Sequence, residues 1–296
     1  MTYVERKIRI TLTNAQSNGA TGGGQAGAGA QFENLRVLAR IEKAGGNYMG
    51  TAQITVYGLS LDHISQFSTW GTMYHPTQNY LISIEAGDAI NGYSLVFLGN
   101  VQQAWADFSG MPDVPMIFLA IGTTAPANVG PASPTSFSGS TPVAPLIQKL
   151  AATGGLKFEN SGVNSVLESG YYWGSPWKQI KEISDSAGIN VFQDDGVATI
   201  WPQGGARNGD DLLVSSETGL RDYPTFTQFG VVVKIEFSKA ITYGAKMTIK
   251  SDLKPANGSW QIIGIDYDLQ SQVPNGNWFA ILSGIQLGAP VTVAPK

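Results

Sequence analysis

The stretch from Trp260 to Leu282 constrains this chain most, because its apolar residues can be buried together only if it doubles back as a hairpin. In Trp260-Gln261-Ile262-Ile263-Gly264-Ile265-Asp266-Tyr267-Asp268-Leu269, Trp260, Ile262 and either Ile263 or Ile265 fall near a period of two, the spacing of a strand with one buried face. The alternation breaks around Gly264, where a bulge is expected. Pro274-Asn275-Gly276 supplies turn chemistry, since Pro fixes its own φ while Asn and Gly accept positive φ. Trp278, Ala280 and Leu282 resume the alternation, so one face of the hairpin is apolar.

The same period recurs upstream. Ile8, Ile10 and Leu12 face one side of a strand over Arg6–Leu12. Asn14 to Ala30 is rich in Gly and Ala and poor in bulky apolar groups, so a long flexible loop is expected there. It contains Gly22-x-Gly24-x-x-Gly27, but a dinucleotide fingerprint needs a helix directly behind it. Phe32 to Ile41 alternates as a strand instead, so no cofactor site is read at these glycines. Ala52–Tyr57 is a further strand, and Ser60 caps a helix with Leu61, Ile64 and Phe67 on one face. Strands are expected over Tyr80–Glu85, Tyr93–Phe97, Gly99–Phe108 and Val114–Ile121, separated by turn signals at Gly87-Asp88 and Asn91-Gly92.

Ala125 to Ser140 is rich in Pro, Gly and Ser and reads as a connector. Thr141-Pro142 then starts a helix with Leu146, Ile147 and Leu150 as its buried stripe, ended by Gly154-Gly155. A short strand or loop begins at Phe158. Ser175-Pro176 starts a second helix carrying Trp177, Ile180, Ile183 and Ala187, stopped by Gly188. Asn190–Gln193 and Gly196–Trp201 form a hairpin about Asp194-Asp195-Gly196. Further strands are expected over Gln228–Phe237 and Lys246–Lys250. The 296 residues imply two or three domains. The fold class is mainly β with an α+β insert, which the 36 glycines and 14% charged residues suit.

Little in the chain has the pattern of a reactive site. There is no cysteine, which excludes disulfides and thiolate metal ligands, and the net charge of −4 gives no basic nucleic-acid footprint. His63 and His75 are the only histidines and share no metal-ligand spacing, so no metal site is read. The carboxylate pairs Asp194-Asp195, Asp210-Asp211 and Asp266/Asp268 have the chemistry for glycan hydrolysis. Adjacent residues on a strand point to opposite faces, so only Asp266 and Asp268 share one. Asp194-Asp195-Gly196 is more simply a turn. Trp173, Trp177, Trp201, Trp260 and Trp278 suit a sugar-stacking platform, yet they fit apolar periodicities and are read as core. Asn257-Gly258-Ser259 is a formal glycosylation triplet with no secretory context. No Gly-x-Ser-x-Gly elbow, Walker loop, signal peptide or apolar run of membrane length occurs. The reading is a soluble protein with no catalytic residues, no cofactor and no membrane insertion.

A resemblance covers nearly the whole chain. Gly258-Ser259-Trp260 through Asp266-Tyr267-Asp268-Leu269, followed by Pro274-Asn275-Gly276-Asn277-Trp278-Phe279, resembles the C-terminal barrel of baseplate hub proteins from contractile-tailed (Mu-like) bacteriophages. Lys43-Ala44-Gly45-Gly46 leading to Tyr57-Gly58-Leu59-Ser60, then Trp201 to Gly209, then Glu217-Thr218-Gly219-Leu220 with Tyr223-Pro224-Thr225-Phe226-Thr227, agree in the same order. The resemblance implies two tail-tube-like β-barrel domains, 1–122 and 207–296, flanking a linker and small α+β domain at 123–206. It further implies a structural homotrimer that joins the tail tube or a distal tail protein to the central spike and adapts sixfold to threefold symmetry. Other baseplate subunits would be neighbours, and DNA would pass through the channel without specific binding. The location implied is the virion, with assembly in the host bacterial cytoplasm. The alternative reading is an all-β carbohydrate-binding or glycan-hydrolysing phage tail protein.

Overall fold

The computed structural model describes residues 5–14, 29–45, 49–69, 80–88, 90–122 and 130–288. The expected loop from Asn14 to Ala30 lies almost wholly outside the described residues, as do its Gly22, Gly24 and Gly27, and His75. The chain divides into two compact units. Unit one comprises Met1–Ala44, Met49–Thr123 and Asp266–Ala280, and unit two comprises Gly45–Tyr48, Thr124–Ile265 and Ile281–Lys296.

Unit one is built on strands β1 (Arg6–Asn14), β2 (Ala30–Phe32), β3 (Val37–Lys43), β4 (Thr51–Tyr57), β5 (Tyr80–Asp88), β6 (Gly92–Ala106) and β7 (Pro115–Gly122). They pair antiparallel in the order β3-β4-β7-β6-β5-β1-β2. Period-two patterning decides the buried side: Ile8, Ile10 and Leu12 on β1, Ile82 and Ile84 on β5, and Met116 and Phe118 on β7 are all buried. Two strand expectations change. Phe32 to Ile41 is not one strand, because Asn34 adopts φ 60, a left-handed conformation that Asn tolerates, and separates β2 from β3. Tyr93–Phe97 and Gly99–Phe108 are not two strands, since Gly99 lies inside the long β6. A Cβ there would stand 2.5 Å from the Ile121 carbonyl oxygen, so glycine is what lets β7 come alongside. The helix α1 (Leu61–Phe67) begins at Ser60, whose Oγ accepts from the His63 backbone N–H at 3.3 Å. It buries Ile64 and Phe67, while Leu61, expected on that face, is 66% exposed. The hairpin tip belongs to this unit, where Ser271 Oγ donates to the Leu35 carbonyl at 3.0 Å.

Within unit two, β8 (Ala132–Pro142) pairs with β10 (Val166–Gly174) as a two-stranded ribbon. A second small sheet has the order β11-β12-β9, formed by β11 (Ile189–Asp194), β12 (Val197–Pro202) and β9 (Lys157–Asn160), with β9 parallel to β12. Helices α2 (Val143–Thr153) and α3 (Pro176–Ala187) share one core with these strands, centred on Ile147, Ile180, Ile183, Tyr172 and Ile200. The described end of the expected connector is therefore strand β8. Thr141 does not cap α2: its Oγ1 donates to the Gly139 carbonyl at 3.0 Å, and Pro142 occupies the capping position without a side-chain bond. For α3 the reading holds, with Ser175 Oγ accepting from the Lys178 N–H, Pro176 in the first turn and Gly188 left-handed at φ 61.

The third and largest set of paired strands in unit two has the order β14-β15-β18-β17-β16-β13. Its strands are β13 (Arg207–Ser215), β14 (Thr225–Thr227), β15 (Gly230–Glu236), β16 (Ala245–Lys250), β17 (Gly258–Ser271) and β18 (Trp278–Gln286). The last two are the opening hairpin and contribute residues to both units. Buried positions on β17 run Trp260, Ile262, then Ile265, Tyr267 and Leu269, so the phase slips by one around Gly264, as expected. Gly230 is needed where β15 meets β18, since a Cβ there would lie 2.0 Å from the Gly284 carbonyl oxygen. The mainly-β class with an α+β insert is what the structure shows. Among the described residues no sheet closes into a barrel; β2 and β14 are open-edge strands.

Candidate assembly surfaces

The carboxylate pairs are engaged by local structure. Asp195 at φ 48 and Gly196 at φ 79 form the two-residue turn between β11 and β12, where both central residues need positive φ. Asp211 on β13 accepts from Lys246 Nζ at 2.6 Å and from Thr248 Oγ1 at 3.4 Å. Asp266 and Asp268 share the outward side of β17, as the alternation requires. Asp268 accepts from Asn277 Nδ2 at 2.7 Å across the hairpin turn. Desolvation and then the Glu42 carboxylate raise the pKa of Asp266 above the ordinary carboxylate range. His63 packs edge-on against Phe32, with ring centroids 5.1 Å apart, and its Nδ1 lies 3.1 Å from Ser60 Oγ. Among the described residues no three His, Asp or Glu side chains group to hold a metal ion.

Trp201, Trp260 and Trp278 are buried, and the Trp260 indole N–H donates to the Ala256 carbonyl at 2.9 Å. Trp177 is partly buried against the α2–α3 core. Trp173 departs from the expectation. It is 59% exposed on β10, with Lys178 Nζ 3.5 Å over its ring, and Tyr171 two residues earlier is 67% exposed on the same face. A period-two signal was present at Tyr171 and Trp173; what sequence cannot show is that β10 buries its other face, through Tyr172.

Across β4, β7 and β6, unit one presents an uncharged patch on its outer side. Opposite the buried side, the register aligns Thr55, Ile117 and Trp105, then Gln53, Leu119 and Gln103, then Thr51, Ile121 and Asn100 across β4, β7 and β6. No Lys or Arg occurs anywhere between Lys43 and Lys149. The whole excess of Asp and Glu over Lys and Arg lies in unit one, whereas acids and bases balance in unit two. At the far end of the β6–β7 hairpin, Leu61 and Phe108 expose apolar surface at a shallow hollow of ≈ 260 Å³, and Met111 is 71% exposed.

Unit two exposes a different kind of surface. Tyr223, Phe226 and Phe229 are 69%, 51% and 63% exposed on and beside the edge strand β14. Tyr223 also lines an open hollow of ≈ 770 Å³ with Leu213, Glu217, Arg221, Lys250 and Asp252. Elsewhere in the unit, Arg207 donates to Glu159 from Nε at 2.9 Å and also from Nη2, tying β13 to β9. The Arg207 hydrogen bonds, reinforced by its charge, hold the Glu159 pKa below its ordinary value against an opposing desolvation. Because the folded pKa is depressed, the contribution to stability is complete above the unfolded pKa and is lost as pH falls through the folded one. Glu159→Gln is expected to cost about 1–3 kcal/mol at pH 7. In urea titrations the gap between wild type and variant should narrow as the pH is lowered below the ordinary glutamate range, and a gap independent of pH would refute the assignment.

Solved tail proteins have this fold. The 43 kDa tail protein of prophage MuSo2 from Shewanella oneidensis superposes with a TM-score of 0.59 at 9% identity, covering 94% of this chain and 96% of that one. A tail protein from Neisseria meningitidis MC58 gives 0.58 at 11% identity, with coverage of 94% and 96%. A chain of the Francisella PdpA–VgrG complex in its half-lidded form gives 0.54 at 8% identity, covering 99% of this chain and 60% of that one. No curated protein matches the chain. At these identities the likeness shows a shared fold alone. The family assignment comes from sequence: residues 21–280 match the model of the baseplate hub gp41 family, and the chain belongs to that family. It is a structural component of a phage tail baseplate. No helix among the described residues is long and apolar enough to cross a membrane.

Proposed function

We propose that the protein is a non-enzymatic hub subunit of a contractile tail. It assembles in the host cytoplasm as a homotrimeric ring between the tail tube, or a distal tail protein, and the central spike. The ring converts sixfold to threefold symmetry and leaves a channel through which DNA passes. The observation that carries this reading is the match to the baseplate hub family over residues 21–280. The likeness to a chain of the PdpA–VgrG complex supports a spike-associated partner. The tract without Lys or Arg between Lys43 and Lys149 supports a wall that does not hold DNA, because each phosphate-neutralising cation releases counterions and strengthens sequence-independent binding. Three working parts are proposed, 1–122, 123–206 and 207–296, with other baseplate subunits as outer neighbours.

A reconstruction of the assembled tail tip by cryo-electron microscopy tests the reading: three copies about the axis are expected between tube and spike. A DNA titration of the purified protein is expected to show no micromolar binding at physiological salt. Tight binding that falls steeply with added salt would move the protein toward nucleic-acid handling. The exposed Tyr171 and Trp173 favour glycan binding as the second reading, and a glycan array that loses its signal on Trp173→Ala would establish it.

A further inference from the structure

The core of the largest set of paired strands in unit two runs out at its β14 edge. Phe226 stands directly opposite Val231 in the antiparallel register, so both side chains project to one face of the sheet. That face is the buried one: Val231, Val233 and Ile235 are 0%, 1% and 3% exposed. Phe226 therefore belongs to the core side and is nevertheless 51% exposed, because β14 is three residues long and no strand among the described residues follows it in the sheet. Tyr223 and Phe229 extend the aromatic surface on either side of it. An edge with open backbone donors and acceptors and an unfinished apolar row has the two features to which an added strand binds.

We propose that a second copy of this chain covers the β14 edge, laying an extended segment along Thr225–Thr227 and packing on Phe226, Phe229 and Tyr223. The proposal rests on the trimeric reading above and says which surface closes the ring. Area and charge select the occupant. Three aromatic side chains left half to two-thirds exposed amount to roughly 350 Å² of apolar surface. A stable binary interface needs about 800 Å² per partner, so this edge alone does not hold a free ligand, and it needs a neighbour kept in place by further contacts. The flanking charges bring no net charge to the edge that would repel a neighbouring copy, since Arg221 pairs with Glu236 and Lys234 with Asp222 at 3.9 Å. The chain's acidic excess lies in the other unit.

The absence of cysteine and the exposure of the site allow a direct test on the purified full chain. A photo-crosslinking p-benzoylphenylalanine placed at Phe229 is expected to join copy to copy, with the attachment site mapped by mass spectrometry. The double variant Phe226→Ser/Phe229→Ser should stay folded by circular dichroism and weaken trimer association by about tenfold or more, read by native mass spectrometry over a dilution series. A trimer that forms normally in the double variant and gives no crosslink at position 229 overturns the proposal while leaving the trimeric reading intact. Crosslinks only to a different tail protein in assembled tails likewise overturn it. A chain that is monomeric at every concentration and occurs as a single copy in the tail tip overturns the reading and the proposal together.

Discussion

Phe118→Ala is expected to destabilise unit one by about 3–5 kcal/mol, the range for removing a buried phenylalanine from a packed core. Phe118 is 1% exposed on β7, with Ile54 of β4 on one side and Ala104 of β6 on the other, both fully buried. The small Ala104 leaves room for the ring. The loss combines apolar surface returned to water with a cavity that the two flanking strands hold open. Leu119→Ala, one residue along and on the opposite face, should cost much less because Leu119 is only partly buried. Urea unfolding of both variants checks the pair. Equal midpoints would show that β7 does not present alternate faces to core and surface.

That contrast was not readable in the sequence, since Val114 to Ile121 is apolar at nearly every position and either face of the strand could have been the core. Alternation does fix the buried face on β1, β4 and the hairpin, where bulky apolar residues fall two apart and a slip of one residue would expose them. The caps of α1 and α3 were readable for a similar reason: Ser60 and Ser175 satisfy backbone N–H groups that the helix itself leaves open. What escaped were the strands whose stability is not their own. β8 carries Ser, Thr, Pro and Gly at most positions, with Phe137 its one large apolar residue, and its sequence is that of a loop. β13 opens with Arg207-Asn208-Gly209-Asp210-Asp211, a turn by composition, and pairs regularly with the parallel β16 only from Leu212 on, after an irregular register over 208–211. Strand propensity measures fit to a pleated, half-buried surface, and that surface is supplied by partners distant in sequence. The candidate surfaces follow the same division. The carboxylate pairs were correctly placed on turn and strand by local chemistry. The exposure of Trp173 and Phe226 depends on which strands lie next to them, and no local pattern carries that.

Gln179→Leu should be the most damaging change in the α+β insert that leaves side-chain volume nearly constant, at about 2–4 kcal/mol. Gln179 is fully buried on α3 and its amide is used on both ends. Nε2 donates to the Ser133 carbonyl at 3.2 Å and to the Gly174 carbonyl at 3.1 Å, while Oε1 accepts from Thr135 Oγ1 at 2.7 Å. Two of these partners are on β8, the strand with least propensity of its own, and the third closes β10 where the chain turns into α3. Leucine fills the volume but leaves two carbonyls and a hydroxyl without their donor or acceptor, and each buried polar group left unsatisfied costs about 1–3 kcal/mol. Part of that is recovered as the start of β8 lifts toward water, which keeps the total below the simple sum. Hydrogen exchange should therefore quicken over 132–137 before it changes in α2 or in the β9, β11 and β12 sheet. Ser186→Ala on the same helix provides the control, since that hydroxyl is exposed and bonds only the Glu182 carbonyl. An unchanged urea midpoint for Gln179→Leu, or faster exchange confined to the helices, would mean that β8 is held by its pairing with β10 alone.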